Sequence, residues 1–164
     1  MPDLSPFHRE FVFLHILGVF AFLLAHGVSA GVMFRVRAES DPRALRALLT
    51  LSERSLNVMF GGALAFFIFG ILAGFSGNFW TTPGGLWIWA SLILVVAVFL
   101  AMTPLARFPL NRVREAVGDG SDESAGTDAA AIEGAQARVQ PMIIAVLGLG
   151  TVAVLTWLMT YKPF

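Results

Sequence analysis

Four long apolar runs constrain this chain more than any other feature. They cover residues 11–34, 56–75, 86–105 and 142–161. Each has about the 20 residues that an α-helix needs to cross about 30 Å of hydrocarbon. Hydrophobic residues make up 57% of the 164 residues and charged residues only 13%, which is too apolar for a soluble domain. The sequence therefore predicts an all-α membrane protein, a four-transmembrane-helix bundle that forms one domain over residues 1–164.

The residue types and motifs that this sequence lacks exclude several classes of function. It has no cysteine, which excludes disulfides, thiolate metal sites and iron–sulfur clusters. No phosphate-binding loop, carboxylate pair or nucleophile–base pair appears where a pocket could form, and nothing supports nucleic-acid binding. We therefore expect a non-catalytic protein whose main partner is the lipid bilayer, with other membrane subunits or a second copy as further candidate partners.

The distribution of arginine predicts the orientation of the bundle. The first and third connections between spans hold nine arginines: Arg35, Arg37, Arg43, Arg46, Arg54, Arg107, Arg112, Arg114 and Arg138. The second connection holds neither Arg nor Lys, so the positive-inside rule predicts a cytoplasmic first and third connection and both termini outside. Aromatic residues typical of a membrane interface fall at the predicted outer ends: Trp80, Trp87, Trp89, Trp157 and Tyr161.

The first connection carries its own helix signal. Asp41 is a suitable N-cap, Pro42 suits the first helical position, and three leucines then share a face: Leu45, Leu48 and Leu49. This pattern predicts a short cytoplasmic amphipathic helix between spans 1 and 2. Its function is either to dock a partner or an anionic headgroup through Arg43 and Arg46, or simply to connect the spans along the membrane surface.

The third connection has a different composition. Residues 118–128 are acidic and rich in glycine and serine, with almost nothing to bury. The spacing of a calcium-binding loop is missing from this stretch. We therefore expect a flexible, solvated loop.

The three histidines lie in or just before the first span, at His8, His15 and His26. At about 100° per residue, His15 and His26 fall within about 20° of one stripe of the helix. Polar side chains inside a bilayer usually face the interior of a bundle. The sequence therefore predicts that this stripe is buried against the other three spans.

An intramembrane imidazole can bind haem iron, bind copper, carry a proton or simply hydrogen-bond a neighbouring helix. His15 and His26 are about 16.5 Å apart along the helix axis, which is too far for both to bind one metal ion. No other span contains histidine, so a second axial ligand is a methionine or comes from another chain. Met59, Met102 and Met142 lie at or below the depth of His26, and Met159 lies nearer His15. Of these, Met59, Met102 and Met159 are the candidate second ligands.

Small residues recur at spacings typical of helix packing. Gly27 and Gly31 form one pair, and Gly70 and Gly74 form another. They predict close helix contacts, either inside the bundle or with another protein. The neighbouring glycines 61 and 62 are candidates for the close approach of a flat ligand such as a porphyrin.

Two segments of the first span carry a resemblance to known proteins. The segments 13–18, Phe-Leu-His-Ile-Leu-Gly, and 26–31, His-Gly-Val-Ser-Ala-Gly, resemble small bacterial four-helix membrane proteins of unassigned function. They are loosely similar to the copper-resistance D family, although this chain has half the spans of a full member. The resemblance implies a location in the bacterial cytoplasmic (inner) membrane and the handling of haem or copper through His15 and His26.

Two functions follow from these observations. The first is a non-catalytic accessory or assembly component of a bacterial membrane complex. The alternative is a small membrane protein that binds haem b, or copper, for electron transfer through His15, His26 or both. A bound cofactor distinguishes the two.

Overall fold

The computed structural model describes residues 3–81, 84–118 and 128–163, and this part of the chain is helical without a strand. A 3-10 turn, Ser5–Phe7, precedes α1. The helices are α1 (His8–Ala38), α2 (Pro42–Ser76), α3 (Leu86–Val117), α4 (Ala129–Gln136) and α5 (Pro141–Tyr161). Four segments, namely α1, α2, α3 and α5 with the preceding α4, are long and apolar enough to cross a bilayer. They confirm the predicted all-helical fold with four helices that could span a membrane.

The four long helices form an antiparallel bundle in which α1 packs against α2 and α5, and α3 packs against α2 and α5. The start of α1 and the end of α2 meet where His8 Nδ1 lies 2.8 Å from Ser76 Oγ. The end of α5 reaches the same place, because Lys162 Nζ lies 4.5 Å from the centroid of the Phe79 ring. We call this the aromatic end, after Trp80, Trp87, Trp89, Trp157 and Tyr161. The opposite end, which holds Arg37, Arg46, Arg114 and Arg138, is the arginine end.

Two glycines bring the backbones of α1 and α2 together. A Cβ atom built on Gly18 would lie 2.6 Å from the backbone nitrogen of Phe66, and one on Gly62 would lie 2.6 Å from that of Phe22. Neither distance leaves room for a side chain. The glycines at the close contact between α1 and α2 are therefore Gly18 and Gly62. They are not Gly27 and Gly31, whose spacing predicts such a contact.

The other glycines that the sequence singles out differ in whether they contact a neighbouring helix. Gly27, Gly31 and Gly61 have no atom within 4 Å of a built Cβ, so they make no close helix contact. Gly62 touches the backbone of α1, which leaves no space there for a flat ligand. Gly70 and Gly74 do meet neighbouring side chains. Packing inside the bundle is therefore confirmed for Gly70 and Gly74 and is not found for Gly27 and Gly31, for which contact with another protein stays a prediction.

The first connection is shorter than the sequence predicts. Asp41 caps α2 by accepting a hydrogen bond of 2.9 Å from the backbone nitrogen of Arg43, as predicted. The helix that begins there then continues without a break to Ser76. No separate short helix is present, because the segment between Pro42 and the second span contains neither proline nor glycine to end it.

The helices extend past the predicted spans at the arginine end and build a small core there. α3 continues through Pro104 and Pro109 to Val117, since neighbouring helices let membrane helices tolerate proline. Five side chains in this core are almost completely buried: Met33, Val36, Leu45, Val113 and Val139. α4 covers the core.

Hydrogen bonds from side chains fasten α4 and the ends of the helices around this core. Gln136 donates to the carbonyls of Val36 and Glu39, both at 2.7 Å, and Arg37 donates to Val139 O at 2.8 Å. These bonds satisfy carbonyls that the C-terminus of α1 and the turn after α4 leave free. Of the predicted flexible loop 118–128, residues 119–127 lie outside the described residues.

Candidate functional site

A mainly apolar cavity of about 400 Å³ lies between α1, α2, α3 and α5. This volume is in the range of small-molecule pockets, which run from about 300 to 1,000 Å³. All five candidate ligands predicted from the sequence line it: His15, His26, Met59, Met102 and Met159. His8 does not line it, because its ring bonds Ser76 and lies against Phe79 at the aromatic end.

His15 is held in an orientation suited to a metal ligand. Its Nδ1 donates a hydrogen bond of 2.7 Å to the backbone carbonyl of Phe66. A carbonyl oxygen can only accept, so in the neutral ring the proton sits on Nδ1 and the lone pair on Nε2. Histidines that bind metals through Nε2 commonly donate their other ring N–H to a carbonyl in this way.

Gly70 makes this position of the His15 ring accessible. A Cβ atom built on Gly70 would lie 2.8 Å from Nδ1 of His15. We expect Gly70→Ala to push the ring away from the Phe66 carbonyl and to destabilise the protein by about 1–2 kcal/mol. Thermal unfolding in detergent measures this loss. Gly31→Ala is the matched control, since a Cβ there meets nothing within 4 Å, and equal losses in both variants would contradict the expectation.

His26 has a less constrained ring. It stacks on Phe22 with a centroid distance of 5.7 Å and an interplanar angle of 9°. A Cβ built on Gly148 would lie 2.9 Å from His26 Nε2 and 3.8 Å from Met102 Cε, so the two side chains meet beside Gly148. His15 has a hydrogen bond, whereas none joins the His26 ring to another residue in the described part of the chain. No hydrogen bond to a described residue therefore fixes this ring, whose Nε2 lies beside Gly148.

The two remaining methionines fall at the depths that the sequence predicts. Gly62 of α2 touches α1 at Phe22, and Met59 lies about one helical turn further towards the arginine end, at the level of His26. On antiparallel α5, Met159 lies eleven residues beyond Gly148, the same separation as that between His26 and His15. Met159 is therefore level with His15, and the candidate ligands form two groups.

An aromatic cluster separates the two groups. Phe22 lies 5.5 Å from both Phe66 and Phe99, measured between ring centroids, and Phe66 lies 4.7 Å from Phe67. The sequence did not single out these residues, because phenylalanine is spread over all faces of the spans. Nor did it single out Gly148, whose contact with His26 depends on how two helices are rotated against each other.

The charged side chains that line the cavity, Glu53, Arg107 and Arg114, lie at its arginine end. Arg107, Asn111 and Arg114 line it at the arginine end, where their spacing of four and three residues puts them on one face of α3. Arg114 Nη2 bonds Glu53 Oε2 at 3.2 Å, and both side chains are about half-exposed. Arg107 forms no salt bridge within the part of the chain that the structure describes. The site therefore suits a ligand with an apolar body and an anionic edge.

The ligand types available limit which metals fit. Among residues 3–81, 84–118 and 128–163, no group of three or more His, Asp or Glu side chains could hold a metal ion. The side chains on the cavity that could bind a metal are two histidines, three methionines and Glu53, whose carboxylate bonds Arg114. A cofactor that brings most of its own metal ligands fits this set better than a bare ion that needs several hard ligands from the protein.

The chain was also compared with known proteins. No protein-family model matches it, and no match is found among curated proteins or solved structures.

Proposed function

We propose that this chain is a non-catalytic membrane protein that binds haem b in the cavity between its four long helices and carries electrons. The observation that supports this most is the convergence of His15, His26, Met59, Met102 and Met159 on one apolar cavity. Haem supplies a one-electron iron couple whose potential the axial ligands and the surrounding apolar residues set.

The ligand set favours haem because the porphyrin supplies four of the metal ligands and leaves one or two to the protein. His26 with Met102 or Met59 would hold the haem, and His15 with Met159 is the alternative pair, since a cavity of about 400 Å³ does not have room for two haems. The Nε2 lone pair of His15 supports its use as a ligand, and so does the His26 ring, which has no hydrogen bond within the described residues.

The polar end of the cavity supports the same cofactor. Haem b is a flat apolar ring with two carboxylates on one edge. At about 1.5 Å per residue, Arg107 lies about 7.5 Å beyond Met102 towards the arginine end, and Arg114 lies about 18 Å beyond it. Arg107 is therefore the nearer guanidinium to His26, has no salt bridge to a described residue, and would be available to the carboxylates of a haem held there.

The predicted orientation assigns each histidine to one side of the membrane. The positive-inside rule favours the arginine end in the cytoplasm, which puts both termini outside in the bacterial cytoplasmic (inner) membrane. His15 would then lie towards the outer face and His26 towards the cytoplasm. The similarity to the copper-resistance D family and a role as an accessory or assembly component stay predictions, and a subunit of that kind can itself carry haem.

The proposal is tested by absorption spectra of the detergent-purified protein, oxidised and dithionite-reduced, after expression with a haem supply. We expect a Soret band and a sharp reduced α-band, and loss of both bands in whichever variant, His26→Ala or His15→Ala, removes the iron ligand. His8→Ala is the control, because His8 lies outside the cavity. A folded wild-type protein without haem absorption would refute the proposal, and bound copper in its place would assign the methionines to a copper(I) site.

A further inference from the structure

A second concave surface lies outside the bundle, between α3 and the start of α5, and has a volume of about 280 Å³. Nine residues line it: Pro104, Leu105, Phe108, Pro109, Arg112, Arg138, Gln140, Ile143 and Ile144. It shares only Ile144 with the central cavity. We refer to it as the α3–α5 groove.

The groove lies at the depth of lipid headgroups. The predicted third span ends at Leu105, and Arg112 is seven residues, or about 10 Å, beyond it. Arg138 precedes the first residue of α5 by three positions. The headgroup region on each side of a bilayer is about 5–8 Å deep, which a long arginine side chain can reach from just outside it.

The groove is amphipathic along its length. Arg112, Arg138 and Gln140 form its polar end, and no acidic residue among residues 3–81, 84–118 and 128–163 lines it. Phe108 and Ile143 are 64% and 46% exposed, so large apolar side chains extend from the groove towards the lipid tails. Two guanidinium groups beside an apolar surface match a phosphate attached to an acyl chain.

We propose that the α3–α5 groove binds an anionic phospholipid, with the phosphate between Arg112 and Arg138 and an acyl chain along Phe108 and Ile143. Basic pockets between membrane helices on the cytoplasmic side bind such headgroups in other proteins. The bound lipid would also brace the junction between α3 and α5, where α4 covers the small core. This proposal does not depend on haem binding.

The test is lipid binding by the full-length protein in detergent, measured by native mass spectrometry with phosphatidylglycerol or phosphatidylcholine of equal chain length. We expect preferential binding of phosphatidylglycerol, and a roughly 30-fold loss of its affinity in the double variant Arg112→Gln/Arg138→Gln. Binding of phosphatidylcholine should not change. Both arginines are exposed, so the double variant keeps the buried core intact.

The control is Arg43→Gln/Arg54→Gln, which removes two exposed charges at the same end of the bundle but outside the groove. If this control loses as much affinity for phosphatidylglycerol, the lipid is attracted by the overall positive charge of the arginine end. The groove is then not its binding site. Unchanged affinity in the Arg112→Gln/Arg138→Gln variant would also overturn the proposal. Glycerol phosphate, which lacks acyl chains, should not compete; equal competition would make the groove a simple anion site.

Discussion

Replacing Gly62 by leucine should destabilise the bundle by about 3 kcal/mol, whereas the same change at Gly61 should alter its stability by less than about 0.5 kcal/mol. A Cβ on Gly62 would lie 2.6 Å from the backbone nitrogen of Phe22 and 3.0 Å from the carbonyl oxygen of Gly18. Backbone atoms of a helix cannot move aside singly. The substitution therefore forces α1 and α2 apart along their whole contact.

Gly61 is a control within the same turn of α2. A Cβ there meets nothing within 4 Å, and the position is exposed to the membrane, where leucine is favourable. Thermal unfolding of both variants in the same detergent gives the comparison. Equal melting temperatures would show that the contact between Gly18 and Gly62 does not hold the two helices together.

The four helices could be predicted because length and apolarity alone identify a membrane span. Where each helix ends was harder to predict. α3 was expected to end at residue 105 but continues to Val117, and α2 starts at Pro42 without an interruption before the second span. These extensions contain charged residues beside the buried apolar ones, so a hydropathy window does not detect them. α4 was missed because its eight residues are too few to show a helical period.

The candidate site could be predicted in part. The helical period placed His15 and His26 on one face, and antiparallel spans placed Met102 near His26 and Met159 near His15. The structure puts all of them on one cavity. The glycines that shape the site could not be predicted, because small residues occur on several faces of nearly uniform apolar helices. Only the rotation of each helix about its axis decides which glycine touches a neighbour.

The charged residues at the arginine end of the cavity also could not be predicted from the sequence. Arginines 107 and 114 were assigned to a connecting loop, because charge was expected to mark the end of a span. In the structure they belong to the C-terminal part of α3, and their side chains line the cavity. The same residues that predict orientation are therefore also available to a ligand.

Replacing Gly148 by leucine should strongly weaken haem binding at His26 while leaving the protein folded. A Cβ there would lie 2.9 Å from His26 Nε2, so the longer leucine side chain occupies the space in front of the ligating atom. Unlike the contact at Gly62, this one meets the end of a side chain that can rotate into the cavity. We expect haem affinity to fall by about 100-fold and the melting temperature of the haem-free protein to stay the same.

Gly150→Leu is the control for this change. It lies on the same helix, two residues away, and a Cβ there meets nothing within 4 Å. Absorption spectra and haem titration of both variants, together with their unfolding temperatures without haem, separate a blocked site from a damaged fold. If the Gly148 variant keeps its haem with an unchanged spectrum, His26 is not a ligand, and any haem in the cavity must be held at His15. If the Gly148 variant loses haem and the Gly150 variant does not, the iron lies beside His26, because the two changes differ only in the side of α5 that they enlarge.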